Sequence, residues 1–371
     1  MHSQIEVIEN NGDENGKEKP TGSFVFLVTI LSTIGAFLFG YDTGIVSGAM
    51  VFITDQFNLN YLWHELIVSI TIGGAWLFSL FAGVMSDSIG RKPVILISSV
   101  IFIAGSVVLG FAPNKVYLLI GRLIVGAGIG LASMIVPIYN AEIAPKGIRG
   151  RLVALNQNFI CLGQFIAGVV AGGLSYIDDG WRYMLGLAAV PALIQLIGFL
   201  AMPETPRYLV KKRKDDKALE VLKRTQPASL NVQSELEDIK RTCAEQEIHS
   251  QKSIHVFLRI FKTKSVRKAL FIGCCLQIFQ QIVGINTVMY YTATIIEISG
   301  VNNKSTAIWY SAIVAFVPFL CNFSSFYFIE KLGRRKTFLM SLCGVIISLL
   351  VIGAGFQPEN NLELESNRSL Q

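Results

Sequence analysis

Charge is what this sequence has least of. Asp, Glu, Lys and Arg make up 16% of its 371 residues, against about 25% in soluble proteins. Apolar residues reach 52% and the mean hydropathy is +0.51. A water-soluble fold of 40.8 kDa would have to hide that surface behind too few charges, so the bilayer is the alternative solvent. Histidine is scarce as well: His2, His64, His249 and His255 all fall in polar termini or loops. No metal cluster, nucleophile–base arrangement or phosphate loop stands outside the apolar tracts. That argues against an enzyme and leaves no metal or cofactor to expect. Six cysteines lack framework spacing, five in apolar tracts and Cys243 in a polar one, which argues against a secreted disulfide scaffold. Residues 1–23 are polar and acidic, without a basic stretch before a short apolar core, so no cleaved signal peptide is expected.

What is present is a series of apolar tracts. A spanning helix needs about 20 mostly apolar residues, and nine tracts qualify: 24–50, 66–86, 93–112, 116–139, 153–175, 183–202, 267–291, 306–329 and 337–356. The first is long enough to require tilt or a break. Lys and Arg collect in the connections after the second, fourth, sixth and eighth tracts, and sixteen of the 32 lie between Glu204 and Lys268. The positive-inside rule then puts those connections and the N-terminus in the cytoplasm. The expected organisation is a cytoplasmic tail (1–23), a six-helix bundle (24–202) and a cytoplasmic linker with short helices at 215–224 and 230–247 (203–266). Three helices of a second bundle (267–356) and an outer polar tail (357–371) follow. The expected setting is a multi-pass protein of the plasma membrane, with the lipid bilayer as a partner and no nucleic acid.

Internal repetition sharpens this. Gly90-Arg91-Lys92 follows the second tract and Gly333-Arg334-Arg335 the eighth, 243 positions later, each with an acid three residues upstream, Asp87 and Glu330. FGYDTG in the first tract and VGINTV in the seventh are offset by 244. Two six-helix halves joined by a cytoplasmic linker explain both offsets, the plan of a major facilitator transporter. The sequence ends three helices into the second half.

A few polar residues inside the tracts point to chemistry. Asp42 is the one carboxylate well inside a first-half tract; Glu65, Glu142 and Glu204 stand at tract edges. An ionisable group at that depth usually marks an ion or substrate path, and the alternative is a permanent ion pair that packs helices. Arg122 is its candidate partner, since the two lie about 12 and 9 Å below the outer face at 1.5 Å per residue. Desolvation favours the protonated carboxyl and a nearby guanidinium favours the carboxylate. Moving Arg122 relative to Asp42 would therefore couple proton affinity to conformation. Arg122 could instead snorkel to the headgroups. Gln164, Gln280, Gln281 and Asn286 are neutral amides near the midplane, suited to the hydroxyls of a polyol or to interhelical hydrogen bonds. Gly284 offers the break that would turn Asn286 toward a cavity. The ladder Gly40, Gly44 and Gly48 and the segment GRLIVGAGIG (121–130) read as close helix packing. The cytoplasmic sets Asp87/Arg91, Glu142/Arg149/Arg151, Glu204/Arg207 and Glu330/Arg334/Arg335 suggest a salt-bridge latch at the inner face, beyond what topology requires.

Motif by motif and in order, GYDTGIVSGAM, GxxxDxxGRK (83–92), EIAPKGIRGR (142–151), PETPR (203–207), QQIVGIN (280–286) and EKLGRR (330–335) resemble the sugar-porter family of the major facilitator superfamily. GWRYMLGLAAVPA (180–192), together with Asp42, resembles its proton-coupled inositol branch. The resemblance implies an all-α membrane protein of major facilitator fold, with a complete N-terminal six-helix bundle and the first three helices of the C-terminal one. It implies proton-coupled symport of myo-inositol or a hexose by alternating access. Asp42 would take the proton, Arg122 would modulate it, and Gln164, Gln280, Gln281 and Asn286 would bind substrate hydroxyls. The alternatives are a facilitative sugar uniporter or a truncated, non-transporting isoform. The sequence departs from the family pattern at Pro318, where a substrate-binding asparagine is common; Asn322 stands one turn on.

Overall fold

A computed structural model describes residues 23–226, 231–250, 264–301, 303–333 and 335–351. Among these the fold is entirely helical, with no strand. In hydrocarbon every backbone N–H and C=O must be satisfied within its own segment, which leaves the helix as the form open to apolar tracts of this length. Among the described residues, eight helical segments are long and apolar enough to cross a bilayer. The predicted ninth, 337–356, is helical over 335–351 and continues outside the described residues.

The first bundle comprises α1 (Ser23–Gln56), α2 (Tyr61–Ile89), α3 (Arg91–Gly110), α4 (Lys115–Ile143), α5 (Arg149–Leu174), α6 (Gly180–Gly186) and α7 (Ala189–Leu200). α1 runs unbroken through the length for which a tilt or break is expected; its 34 residues measure about 51 Å at 1.5 Å per residue. Asn60 opens α2 by accepting from the Trp63 N–H, and Asn114 opens α4 by accepting from Val116 and Tyr117, each supplying an acceptor for otherwise orphaned first-turn donors. The sixth tract divides into α6 and α7. Pro191, which has no N–H to donate, is accommodated in the first turn of α7.

Glycine decides how closely these helices approach. A Cβ on Gly40 would collide with the Ile160 carbonyl, and one on Gly44 would come within 2.7 Å of the Gln164 carbonyl. The ladder on α1 is thus the surface against which α5 lies. On α4, Gly126 and Gly130 face the backbone of α2 at Thr71 and Ala75, while Gly121 and Gly128 face α3 at Leu109 and Phe102. Small residues at such crossings let dispersion act over the full helix length. Buried side chains such as Tyr41, Ile45, Trp181 and Met184 fill the interior between them.

The linker folds into α8 (Pro206–Lys211), α9 (Asp215–Thr225) and α10 (Val232–Ser250). Leu209, Val210, Ala218, Val221, Leu222 and Leu236 form a small apolar cluster that joins them. α8 begins at Thr205, whose hydroxyl accepts from the Tyr208 N–H, with Pro206 at the first position, where proline is pre-organised for a helix start. The seventh tract is two helices, α11 (Lys264–Ile282) and α12 (Ile285–Ile298). They are separated at Gly284, whose φ of 79° lies in the left-handed region that glycine adopts without strain. α13 (Lys304–Leu332) follows.

One compact unit ends at Phe316 and a second begins at Val317. In the first, α13 packs on α5: Gly168 adjoins Ala312, Gly172 adjoins Trp309, and the rings of Phe165 and Phe316 are 4.8 Å apart. In the second, the remainder of α13 carries Pro318 within the helix and an edge-on pair, Phe319 and Phe323, with centroids 5.2 Å apart. α14 (335–351) completes it.

Candidate functional site

Asp42 and Arg122 lie together in the core of the first bundle, 4% and 1% exposed. Arg122 Nη1 donates to Asp42 Oδ1 at 2.5 Å, and Nε donates to the Ile67 carbonyl at 3.2 Å. The Arg122 carbonyl accepts from the Thr71 hydroxyl at 3.2 Å. α1, α2 and α4 are therefore tied through one guanidinium, and snorkelling to the headgroups is not the conformation seen. Nη2 is buried without a partner among the described residues. A pair this dry is held by mutual charge against heavy desolvation, and removing either member would leave the other uncompensated. Tyr290 of α12 hydrogen-bonds the side chain of Thr43, the neighbour of Asp42 in the chain, which brings the segment beyond the linker to the residue next to the pair.

The amides separate. Asn286 Nδ2 donates to Gln281 Oε1 at 3.0 Å across the Gly284 break. Both line a cavity of about 570 Å³ together with Thr71, Ser69 and Glu65 of α2, Ser133 of α4 and Thr287, Tyr290 and Tyr291 of α12. That volume falls within the roughly 300–1,000 Å³ of ligand pockets. Five residues on one continuous helix would set Gln281 and Asn286 about 500° apart; the break brings them to one wall. Gln164 is buried on α5, where its main chain adjoins Gly44. Gln280 is exposed on α11. Neither is among the residues lining that cavity.

At the other end of the first bundle, Arg91 is the hub. Nη1 pairs with Asp87 at 3.3 Å and also donates to the Ser86 carbonyl, and Nη2 pairs with Glu142 at 3.0 Å. Glu204 makes a different contact from the ion pair its neighbour Arg207 suggests. Its Oε1 accepts from the N–H groups of Arg91 and Thr205 at 3.1 and 2.8 Å, and its Oε2 from that of Lys92 at 3.1 Å. The carboxylate thereby supplies the acceptor and the negative charge that the N-terminus of α3 needs; Gly90, with φ 107°, offers no side chain to do so. Burial pushes the Glu204 carboxyl above its ordinary range, against the three amide donors that favour its charge. Arg149 and Arg207 line a cavity of about 440 Å³ beside Glu142 and the Lys146–Glu235 pair, and Arg207 has no ion-pair partner among the described residues. Arg151 is exposed in the first turn of α5. Arg335 is exposed on α14, whereas Arg334 and the side chain of Glu330 lie outside the described residues. The ion pairs described at this end thus join parts of the first bundle and linker to one another.

Residues 28–368 match the family model described as "Sugar (and other) transporter". The chain belongs to this family. Among curated proteins it is 46% identical to the human "Proton myo-inositol cotransporter" over 341 residues, covering 92% of this chain and 52% of that protein. To the "Proton myo-inositol cotransporter hmit-1.2" of Caenorhabditis elegans it is 42% identical over 365 residues, covering 94% and 60%. The chain thus spans between half and three-fifths of the length of these relatives. Among solved structures, the major facilitator proton:xylose symporter XylE bound to 6-bromo-6-deoxy-D-glucose superposes with a TM-score of 0.74 at 29% identity, over 85% of this chain and 71% of that one. The partially occluded inward-open form of XylE from E. coli gives 0.71, also at 29% identity, over 84% and 75%. The fold is that of the major facilitator superfamily, and the chain is a multi-pass membrane protein of this family.

Three participants are not singled out by sequence reasoning. Glu65, at a tract edge, accepts the Tyr291 hydroxyl at 2.6 Å; two tyrosines in an apolar tract give no hint of this contact across 226 positions. Gln195 is buried on α7, donating to the Ser32 carbonyl and accepting from the Ser99 hydroxyl, each at 3.1 Å. Its midspan position was as visible as that of Gln164, and its contacts are those of interhelical packing.

Proposed function

We propose that the protein carries a cyclic polyol, myo-inositol or a close relative, across the plasma membrane together with a proton, with the N-terminus in the cytoplasm. The observation that carries this reading is the Asp42–Arg122 pair: a carboxylate in the dry core, beside Thr43, which Tyr290 hydrogen-bonds from beyond the linker. A proton arriving at Asp42 neutralises it and frees the guanidinium, which then needs a new acceptor. Two states of the bundle follow, one for each protonation state, as coupling requires. Gln281 and Asn286 supply donors and acceptors without charge to a hydroxyl-rich cargo, and their mutual hydrogen bond is exchanged for ones to substrate. Gln164 and Gln280 join them in the substrate-loaded state. Asp87, Arg91, Glu142 and Glu204, with Arg149, Arg151 and Arg207, make the inner end of the first bundle a salt-bridge latch, and Glu330, Arg334 and Arg335 repeat the same acid–arginine set in the second half of the sequence. The cytoplasmic charges support this reading through their repetition in both halves. The printed names of the relatives, proton myo-inositol cotransporters, support the substrate and the coupling.

The test is uptake of labelled myo-inositol by cells expressing the chain. Accumulation stimulated by acid outside and abolished by a protonophore is expected, with hexoses competing weakly. A membrane-inserted chain with no uptake under either condition contradicts the proposal, and uptake indifferent to the protonophore reduces it to facilitated diffusion.

A further inference from the structure

Lys211, Lys212, Arg213 and Lys214 follow one another where α8 turns into α9, and all four are exposed. The turn is tightly hydrogen-bonded. The Arg213 N–H donates to the Val210 carbonyl and the Lys214 N–H to the Leu209 carbonyl, each at 2.9 Å, the two bonds that end a helix in a Schellman motif. That motif requires a left-handed residue at Arg213, whose φ is 56°. Glycine takes this conformation freely, and a residue with a Cβ is strained in it. Lys214 stands next, at the N-cap of α9, with no side-chain hydrogen bond, where Ser, Thr, Asp or Asn would satisfy an orphan donor. Local structure thus disfavours a basic residue at two adjacent positions that both carry one.

Ion pairing inside the fold does not account for them either. Lys211 pairs with Asp87 at 3.4 Å, and Lys212 lies over the Tyr208 ring with Nζ 5.6 Å from its centroid. Arg213 and Lys214 have no ion-pair partner among the described residues. Of the two acids that follow, Asp215 is engaged by Lys240 at 2.7 Å. Asp216 is unpaired among the described residues and stands in the first turn of α9, where an acid suits the helix dipole. The turn is fixed at the depth where the spans end. The Tyr208 hydroxyl donates to the Ser88 carbonyl at 2.9 Å, at the inner end of α2, and Lys92 Nζ to the Leu200 carbonyl at 2.8 Å, at the inner end of α7. Exposed apolar residues of α7, Ile194, Ile197 and Leu200, run down to that same level.

We propose that Arg213 and Lys214, flanked by Lys212, form a docking surface for the anionic headgroups of the inner leaflet. A lipid phosphodiester supplies what the turn lacks, a negative partner for two cations that the fold leaves unpaired. Basic clusters directly beyond a span bind acidic lipid in this way, each residue contributing about a fivefold factor in affinity. A free phosphate compound offers the same charge, but the level of the turn, beside the inner ends of α2 and α7, favours the membrane as its source. The surface works whether or not the chain moves a polyol; it rests on the cytoplasmic placement of the linker.

Native mass spectrometry of the full chain in neutral detergent, titrated separately with phosphatidylserine and phosphatidylcholine, reads the affinity for each lipid directly. The parent chain is expected to favour phosphatidylserine. The double variant Arg213→Gly, Lys214→Gln is expected to bind phosphatidylserine about thirtyfold more weakly, with phosphatidylcholine binding unchanged. Arg213→Gly alone is expected to lose about fivefold while unfolding at the parent's temperature or above, because it removes the charge and relieves the turn together. Arg213→Lys keeps the charge and the affinity. Lys223→Gln with Arg224→Gln removes the same charge roughly 15 Å further along α9 and is expected to leave the affinity within about threefold, since exposed charges are screened over that distance. Unchanged phosphatidylserine affinity in the first double variant overturns the docking surface. An equal loss in the second double variant also overturns it, by showing a response to net charge alone. Competition by glycerophosphoserine, the same headgroup without acyl chains, at concentrations matching the lipid would assign the turn to a soluble anion and overturn the membrane as its partner.

Discussion

Replacing Glu204 with alanine removes the acceptor for three main-chain N–H groups, those of Arg91, Lys92 and Thr205, at 2.8–3.1 Å. Two of them belong to the first turn of α3 and have no intrahelical partner. Loss of a capping acceptor costs about 0.5–2 kcal/mol, and loss of the favourable charge at the helix terminus a further 0.3–1 kcal/mol or so. The Thr205 N–H beside it adds the cost of one unsatisfied donor, about 1–3 kcal/mol where water cannot reach. Partial hydration lowers the sum, so Glu204→Ala is expected to reduce the unfolding free energy in mild detergent by about 2–4 kcal/mol. Glu204→Gln keeps one acceptor and should recover about half. The pH dependence has a definite sign. Because burial raises the folded-state pKa above its ordinary value of 4.5, the folded chain binds more protons in the window just above that value. The contribution of Glu204 to stability therefore falls as pH rises through that window, and Glu204→Gln flattens the profile there. A Glu204→Ala chain within about 0.5 kcal/mol of the parent would refute the capping argument, since loss of a capping side chain costs at least about that much.

Other perturbations test separate parts of the fold. Gly163→Val drives a side chain into the Phe37 carbonyl and the Tyr41 N–H and should cost at least about 3 kcal/mol or abolish folded yield. Gly173→Ala on the same helix meets nothing within 4 Å and should be neutral or gain a few tenths of a kcal/mol. Gly284→Ala strains the left-handed turn between α11 and α12 and should cost about 1–2 kcal/mol in detergent unfolding. Arg122→Leu leaves Asp42 buried without its guanidinium and should cost about 3–5 kcal/mol. The double variant with Asp42→Asn should recover much of that, a coupling visible in the full mutant cycle.

Depth along a helix was legible in the sequence. A charge within an apolar tract is conspicuous, and counting residues at 1.5 Å each set Asp42 and Arg122 at matching heights before any contact was known. The glycine ladder on α1 and the break at Gly284 were equally visible, because few residues other than glycine permit so close an approach or so positive a φ. What escaped was pairing between distant segments. Glu204 reads as one more member of an acid–arginine set, yet it caps a helix whose first residues precede it by 112–113 positions. Glu65 and Tyr291 lie on elements whose adjacency is decided by packing on both sides of the linker. The four amides shared one chemistry in the sequence, but the helix carrying each decides whether it faces the cavity, and only Gln281 and Asn286 line it here.

The central claim is that Asp42 changes its protonation as the carrier cycles. Asp42→Asn is isosteric, keeps an acceptor for Arg122, and cannot take up a proton. Inositol flux in this variant should be measured in two ways in the same vesicles: equilibrium exchange of labelled for unlabelled inositol, and uphill accumulation driven by an imposed pH gradient. Exchange that persists while gradient-driven accumulation falls to background is the result predicted. Accumulation in Asp42→Asn that still follows the pH gradient as in the parent chain would contradict it.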